Sequence, residues 1–295
     1  MSARLLDGKL ISEQVLEETR RGVAEFTAKH GFAPGLAFVR VGEDPASVVY
    51  VGAKAKMCER LGIQGQTYVL PASAVEAQVL DLVASLNAQP RVHGILVQSP
   101  MPAGIREDVV FEAILPGKDV DGFHPLNLGK LAVGDPTAFV ACTPAGVHQI
   151  LLRGGIPLAG RRVVILGRSR IVGKPLALLL SGKGKGADAT VTLAHSRTQD
   201  LPSVTREAEI LIAAMGKNRF VTADMDREGA VVVDVGITRV PDPAKKSGAR
   251  IEGDVDFTPV SQKASWITPV PGGVGPMTIA MLMANTLKAA KLQTA

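Results

Sequence analysis

The sequence is poor in cysteine and in aromatic residues. Its 295 residues include two cysteines, Cys58 and Cys142, and aromatic side chains make up 4% of the chain. Two cysteines cannot build a disulfide framework or a C-x-x-C metal knuckle. So few rings also leave little for the base-stacking platforms of proteins that bind single-stranded nucleic acid. We therefore expect a reducing, cytoplasmic setting and no nucleic-acid partner.

Long apolar runs and paired histidines are missing as well. No apolar stretch approaches the length needed to cross a bilayer, and Asp7 stands where a secretory signal would carry its apolar segment. The five histidines show no i,i+4 pair, so no catalytic metal is predicted. The net charge of +5 is scattered along the chain and favours small anionic ligands over membranes.

Helical and strand-like segments alternate along the first third of the chain. An apolar-periodic helix covers about 8–30, and helical patterns at 46–61 and about 75–86 separate strand-like runs at 36–41, 66–70 and 92–98. This βαβαβ order predicts a mostly parallel sheet that is covered on both faces.

A segment rich in proline and glycine, from Ser99 to Pro144, follows and marks the predicted domain boundary. Thr143 and Pro144 are interpreted as the N-cap and first residue of a helix. A second alternating series has strands at 162–167, 189–194, 209–214 and 230–235, and a last helix at about 277–290 starts after Pro276. At roughly 150 residues per domain, this length predicts an α/β protein of two domains.

The loop Gly167–Gly173 is the clearest ligand-binding signal. It joins an apolar strand to a helix, as in dinucleotide sites where a helix N-terminus faces the pyrophosphate. Ser169 occupies the second glycine position of G-x-G-x-x-G, so the spacing of that motif is not met. The alternative is a glycine-rich turn that binds nothing.

The segment after the next strand bears on the type of dinucleotide. NAD enzymes usually place a carboxylate there, whereas this chain has His195, Ser196 and Arg197. Asp188 precedes the strand and is predicted to lie at the other end of the sheet. A hydroxyl and a guanidinium group suit a 2′-phosphate, so the sequence favours NADP over NAD. The alternative for Arg197 is a solvated loop charge.

Three residues of the first half are weaker candidates. Tyr50 and Lys54 are four residues apart and share a helix face, and Gln98 ends the third strand, where open parallel sheets bind their ligands. Taken alone, each also suits a surface position, packing or a polar strand end.

Taken together, these segments resemble one family over essentially the whole chain: the bifunctional methylenetetrahydrofolate dehydrogenase/methenyltetrahydrofolate cyclohydrolases. The resemblance is carried by Tyr50–Lys54, Gly94–Pro102, Pro116–Pro125, Gly167–Pro175, Ala189–Thr192 with His195-Ser196, Gly253–Asp256 and Thr268–Pro276. The proline- and glycine-rich run 268–276 is its most specific part.

The resemblance implies two α/β domains with a ligand cleft between them. An N-terminal folate-binding catalytic domain would span 1–121 and be completed by the C-terminal helix 277–295, which packs back on it. A Rossmann-like NADP-binding domain would span 140–276. The implied activity is NADP-linked oxidation of 5,10-methylene- to 5,10-methenyltetrahydrofolate, followed by hydrolysis to 10-formyltetrahydrofolate, in a homodimer.

The resemblance also assigns residues, each of which suits its role. A carboxylate can accept from the pterin amino group and ring N–H together, an aromatic ring can stack on folate, and a lysine can move protons during hydrolysis. The implied catalytic residues are Lys54, Gln98 and Asp121; the implied substrate-binding residues are Tyr50, Ser99, Pro271, Gly272 and Gly273; and the implied cofactor-binding residues are Gly167, Arg168, Ser169, Ile171, Val172, Gly173, His195, Ser196, Arg197, Gly236 and Ile237.

Two segments depart from the family pattern. Ser99 replaces the usual leucine beside the folate, and Ala214–Lys217 differs from the usual glycine-proline form of a cofactor-side loop. Neither departure removes a catalytic residue. Two alternatives stay open: a dehydrogenase of similar layout that acts on another small substrate, such as shikimate, and a folate- or NADP-binding protein without catalytic activity.

Overall fold

The computed structural model describes residues 2–245 and 248–295, which form two compact units. The first unit takes in Glu13–Cys142 and Ile279–Ala295. The second unit takes in Thr143–Thr278 and the start of the chain up to Ser12. Both units are therefore discontinuous in sequence.

The first half of the chain supplies most elements of the first unit and one strand of the second. In chain order the elements are β1 (Arg4–Leu5), α1 (Gly8–His30), β2 (Gly35–Val41), α2 (Pro45–Leu61), β3 (Gln64–Leu70), α3 (Glu76–Ala88), β4 (Gly94–Val97), α4 (Glu107–Ala113) and α5 (Pro125–Ala132).

A three-stranded parallel sheet, in the order β3-β2-β4, is the centre of the first unit. Every residue of the middle strand β2 is buried, as expected of a parallel strand covered on both faces. One face packs against the apolar stripe of α3, formed by Val79, Val83 and Leu86. The predicted βαβαβ order is confirmed.

The second half of the chain continues with α6 (Cys142–Arg153), β5 (Arg162–Leu166), α7 (Gly173–Ser181), β6 (Thr190–Ala194), α8 (Leu201–Arg206), β7 (Ile210–Ala213), a 3₁₀ turn (Ala223–Met225), β8 (Val231–Asp234), β9 (Thr238–Pro241), β10 (Ala249–Glu252), α9 (Phe257–Ser261), β11 (Trp266–Ile267) and α10 (Val274–Gln293). The second unit is built on a parallel sheet in the order β1-β11-β8-β7-β5-β6. The strand order changes direction between β5 and β7, and this is the position at which doubly wound sheets bind ligands.

Several boundaries differ from the sequence predictions. The predicted N-cap Thr143 already lies inside α6, which begins at Cys142, and α10 begins at Val274, so that Pro276 falls in its first turn. Proline is tolerated there because the first N–H groups of a helix have no intrahelical acceptor. The last helix was predicted to start only at 277.

The start of the chain also differs from the prediction, because the segment up to Ser12 belongs to the second unit and not to the first. The reason is strand pairing: Arg4 and Leu5 pair with Trp266 and Ile267 of β11. The antiparallel ribbon of β9 and β10 was not predicted either. Among residues 2–245 and 248–295, no helix has both the length and the apolar character needed to span a membrane.

Candidate active site

Lys54 and Gln98 meet at the carboxyl end of the first unit's sheet. Lys54 lies on α2, and Gln98 directly follows β4. Lys54 Nζ donates a hydrogen bond to Gln98 Oε1 over 3.0 Å. Gln98 Nε2 in turn donates to the Ser99 carbonyl oxygen over 2.6 Å. Because both ends of the amide are bonded, its oxygen is held towards the lysine.

The position of α2 is fixed at both ends. The Asp44 carboxylate accepts a hydrogen bond from the Ser47 N–H at the N-terminus of the helix, and Gly62 ends it in the left-handed region with φ +76°. Tyr50 stands one turn before Lys54 on this helix and is 53% exposed. Its ring is therefore available to a flat ligand beside the Lys54–Gln98 pair.

Ser99 does not present a free hydroxyl group. Its Oγ donates to Glu107 and lies 2.8 and 3.0 Å from the two carboxylate oxygens, and Glu107 Oε1 also accepts the Met101 N–H at 2.8 Å. Ser99, which stands where the resemblance leads one to expect leucine, is thus a polar residue whose hydroxyl group is already satisfied within the loop.

The two acidic residues of the segment Lys118–Gly122 have different surroundings. Asp119 is buried and accepts N–H groups from Gly122, Phe123 and His124 and the Asn127 amide. It therefore holds the turn together. Lys118 is also buried, and its Nζ donates to the carbonyl oxygens of residues 86, 87 and 89 at the end of α3. Neither side chain is free to meet a ligand.

Asp121 is placed differently. The segment runs parallel to β4, with Ile95 opposite Asp119, so that Asp121 lies towards the strand end occupied by Gln98. Burial raises the pKa of Asp121 to about 6, while the positive charge of Lys54 acts in the opposite direction and Asp119 adds to the rise. The two predicted catalytic residues thus interact electrostatically within one unit.

Behind Asp121 lies a contact that sequence reasoning missed. The Cys142 thiol donates a hydrogen bond to the Val120 carbonyl oxygen over 3.5 Å, and burial, followed by the charge of the Asp121 carboxylate, raises the pKa of this thiol well above the ordinary range. Asn285, from α10, donates to the carbonyl oxygens of Val120 and Val140 at 2.8 and 3.1 Å. No sequence signal links residues so far apart in the chain.

In the second unit, the loop after β5 has the backbone that close phosphate approach requires. Gly167 has φ +122°, and a Cβ there would lie 2.1 Å from the Ala214 carbonyl oxygen. A Cβ at Gly173 would lie 1.9 Å from the Gly167 carbonyl oxygen. Ser169 Oγ accepts the N–H groups of Val172 and Gly173 at 3.1 and 3.5 Å, so it shapes the turn before α7. The side chains of Arg168 and Ile171 are exposed beside it.

The segment after β6 carries cationic and hydroxyl groups. Ser196 and Arg197 are exposed, and His195 Nδ1 accepts the Arg197 N–H at 3.2 Å. Asp188 precedes β6 and accepts the Gly184 N–H at 3.2 Å, so it lies at the opposite end of the strand. The position at which NAD enzymes offer a carboxylate therefore carries residues that suit a phosphate.

Two groups of predicted residues line one cavity of about 170 Å³ in the second unit. Gly236 and Ile237 follow β8, and they face Pro271, Gly272 and Gly273 across the cavity. The cavity also contains apolar lining from Val235, Ile251 and Val274. Predicted cofactor-binding and substrate-binding residues thus come together at the carboxyl edge of the sheet.

A larger cavity, of about 300 Å³, lies at the opposite edge of this sheet, where strands β7, β8 and β11 begin. Arg161 and Glu209 line it and pair with one another at 2.6 Å. Open parallel sheets bind ligands at their carboxyl ends, so size alone does not make this cavity the site. Within the described part of the chain, no group of three or more His, Cys, Asp or Glu residues is arranged to hold a metal.

Comparison with known proteins gives matches over both halves of the chain. The sequence-family model for the catalytic domain of tetrahydrofolate dehydrogenase/cyclohydrolase matches residues 6–121, and the sequence-family model for its NAD(P)-binding domain matches residues 141–294. The "Bifunctional protein FolD" of Dehalococcoides mccartyi strain CBDB1 is 55% identical over 292 residues, which is 99% of this chain and 98% of that protein. The protein of the same name from Chlorobium phaeovibrioides is 53% identical and covers 96% of each chain.

Solved structures agree with these matches. The bifunctional FolD enzyme of Campylobacter jejuni superposes with a TM-score of 0.92 at 46% identity and covers 99% of each chain. The Trypanosoma brucei enzyme, solved with NADP cofactor and an inhibitor, has a TM-score of 0.93 at 36% identity and covers 100% of this chain and 99% of its own. The chain belongs to the tetrahydrofolate dehydrogenase/cyclohydrolase family.

Proposed function

We propose that the protein is a bifunctional enzyme of one-carbon metabolism. It oxidises 5,10-methylenetetrahydrofolate to 5,10-methenyltetrahydrofolate with NADP and hydrolyses the product to 10-formyltetrahydrofolate. The observation that carries this proposal is the 3.0 Å contact between Lys54 Nζ and Gln98 Oε1, with Asp121 in the same electrostatic environment. Family membership over both halves of the chain supports it.

NADP fits the second unit on two structural grounds. The glycines at 167 and 173 leave room only for backbone in the turn before α7, whose N-terminal N–H groups and dipole suit a pyrophosphate. Ser196 and Arg197 offer a hydroxyl and a guanidinium group to the 2′-phosphate, with Arg168 exposed on the preceding loop. When bound, NADP accepts the hydride that leaves the methylene carbon.

In the first unit, Asp121 binds the pterin edge. Its ionised carboxylate accepts from the amino group and the ring N–H, two donors that lie side by side. Tyr50 covers a face of the folate with its half-exposed ring. Hydride transfer moves no proton to an enzyme base, so placement of the two reactants is what the dehydrogenase step demands of these residues.

Hydrolysis places a different demand on the site. Water that attacks the methenyl carbon must lose a proton, and the ring nitrogen that departs must gain one. Lys54 carries out these proton transfers at Nζ. Gln98 holds Nζ in place through its Oε1, and the bond from Gln98 Nε2 to the Ser99 carbonyl oxygen keeps the amide from turning over.

The two alternatives are not favoured. A dehydrogenase for another substrate gives no reason for Lys54, Gln98 and Asp121 to occur together, and a non-catalytic binding protein does not need the lysine. We also propose that the enzyme acts as a homodimer in the cytoplasm. Light scattering during size-exclusion chromatography tests the oligomeric state, because a monomeric mass would contradict it.

The direct test follows absorbance with purified protein, 5,10-methylenetetrahydrofolate and NADP. We expect NADPH to form and 10-formyltetrahydrofolate to accumulate. A parallel reaction started from methenyltetrahydrofolate without NADP isolates the hydrolytic step. Protein that forms no NADPH, or that does not accelerate hydrolysis above the spontaneous rate, would refute the bifunctional assignment.

A further inference from the structure

Two buried carboxylates of the second unit have no role in the chemistry proposed above. Asp254 has no exposed surface, and Asp234 is 4% exposed. Asp254 accepts the N–H groups of Met215, Gly216 and Lys217 at 2.5, 2.9 and 2.8 Å. Its two oxygens thereby fix three consecutive residues of the loop that follows β7. One carboxylate that receives three backbone N–H groups is an unusually strong local restraint, because hydrogen bonds to charged groups are the stronger ones.

Asp234 binds the neighbouring turn in the same way. Its carboxylate accepts the N–H groups of Gly236, Asp254 and Val255 at 2.9, 2.9 and 3.0 Å. The glycines beside the two carboxylates leave no room for a side chain: a Cβ at Gly236 would lie 2.2 Å from Asp254 Oδ1, and one at Gly253 would lie 1.9 Å from Asp234 Oδ2. The two acidic residues thus form an interlocked support below the loops after β7 and β8.

The loop held by Asp254 lies where a ligand of this sheet is expected. It follows β7, next to β5, at the point where the strand order changes direction. It also abuts the phosphate-binding loop directly, since the space at Gly167 is limited by the Ala214 carbonyl oxygen. A shift of residues 214–217 would therefore change one wall of the crevice in which the dinucleotide lies.

We propose that Asp254 is a positioning residue for NADP: it holds residues 215–217 in the conformation that lets the cofactor enter the crevice between β5 and β7. This inference rests on the proposed function, because it takes NADP as the ligand. Asp254 acts through the loop and does not touch the cofactor. Asp234 supports it by holding the Asp254 backbone N–H.

The test substitution is Asp254→Asn, which keeps the shape of the side chain but places an amide NH₂ against at least one backbone N–H. Asp256→Asn is the matched control, two residues away in the same segment, where the carboxylate makes no capping hydrogen bond to α9. We expect the dissociation constant for NADP, measured by calorimetry, to rise about tenfold or more in Asp254→Asn and to change little in Asp256→Asn. Hydrolysis of methenyltetrahydrofolate without NADP should keep its wild-type kcat and KM.

A second variant tests the loop without altering the carboxylate. Gly216 has φ +65°, and the space at its Cβ position is open, so Gly216→Ala strains the loop without a clash. It should also weaken NADP binding while hydrolysis persists. This variant keeps the inference testable if Asp254→Asn does not fold.

The outcomes separate the inference from the proposed function. Unchanged NADP affinity in Asp254→Asn or in a folded Gly216→Ala protein would overturn the inference. A parallel loss of NADP binding, hydrolysis and thermal stability in both variants would show a merely structural role and would also overturn it. Failure of the wild-type protein to bind NADP would instead refute the proposed cofactor, and the inference with it.

Discussion

Replacement of Lys54 by methionine tests the proposed hydrolytic mechanism most directly. Lys54→Met keeps the aliphatic stem and removes Nζ, so folding and most folate contacts should survive. The substitution has two local consequences. Gln98 Oε1 loses its donor at 3.0 Å, and Asp121 loses the positive charge that lowers its pKa.

The expected magnitude follows from the role of the amine. General acid–base catalysis contributes about 10²–10⁴-fold, so hydrolysis should fall by a factor of about 10² or more. The dehydrogenase step needs no enzyme base and should persist in part, with methenyltetrahydrofolate accumulating as product. Without Lys54, the Asp121 pKa should rise further above about 6. We therefore expect the folate KM of the variant to be higher at pH 7 than at pH 8.5, where Asp121 regains its charge.

Both activities can be measured from the absorbance of methenyltetrahydrofolate and NADPH. Lys56→Met is the matched control, because it removes an exposed lysine from the same helix. It should leave both rates near those of the wild type. A Lys54→Met enzyme that hydrolyses methenyltetrahydrofolate at a near wild-type rate, above the spontaneous background, would show that Lys54 is an ordinary helix residue.

Other predictions concern the ligands and the fold. Asp121→Ala should impair both activities and leave NADP affinity nearly unchanged; poor NADP binding with normal folate turnover would place Asp121 on the cofactor side. Because the pKa of Asp121 is raised to about 6, its charge is present above that pH and is lost as the pH falls through it. The dissociation constant of a non-reacting folate analogue should therefore rise by up to about tenfold per pH unit below pH 6. A pH-independent constant between 5 and 8 would contradict this role. NADP should be preferred to NAD by about tenfold or more, since a charge-assisted contact contributes roughly 1.5–3 kcal/mol. Arg197→Ala should lower the ratio of kcat/KM for NADP to kcat/KM for NAD. Equal kcat/KM values for the two cofactors in the wild type would refute the phosphate site. Lys118→Met should lower the free energy of unfolding by about 2–3 kcal/mol in urea melts, because three carbonyl groups lose their donor. The activity of the folded enzyme should persist. An unchanged free energy of unfolding would contradict the role of Lys118 as a donor to the end of α3.

The alternation of apolar runs with helical patterns was enough to predict both parallel sheets. It worked because strands such as β2 and β8 are buried along their whole length and contrast with the amphipathic helices between them. The same signal fails for β1 and β11, which have two residues each and no measurable period. The hairpin of β9 and β10 was missed because its alternating exposed and half-buried residues include several charges.

The site could be predicted from the sequence only where a residue with suitable chemistry stands at the end of a predicted strand. Gln98 at the end of β4 is such a position, and Lys54 became specific only through the family resemblance. The segment Lys118–Gly122 shows the limit of sequence reasoning. Its two aspartates stand two residues apart, and nothing in their spacing indicates that Asp119 organises the turn while the charge of Lys54 acts on Asp121. Asn285 and Asp254 act through backbone groups far away in sequence, and such contacts leave no local pattern.

The division of each unit between distant parts of the chain has a consequence for biosynthesis. The first unit receives its closing helix last: Asn285 bonds the segments at 120 and 140, and Gln293 donates to the carbonyl oxygens of His93 and Gly117. Strand β1 has no partner strand until β11, which follows it by more than 250 residues, has left the ribosome. Neither unit can therefore complete its fold before residues 266–293 have been synthesised, and a nascent chain that is released before that point has two unfinished units instead of one finished unit.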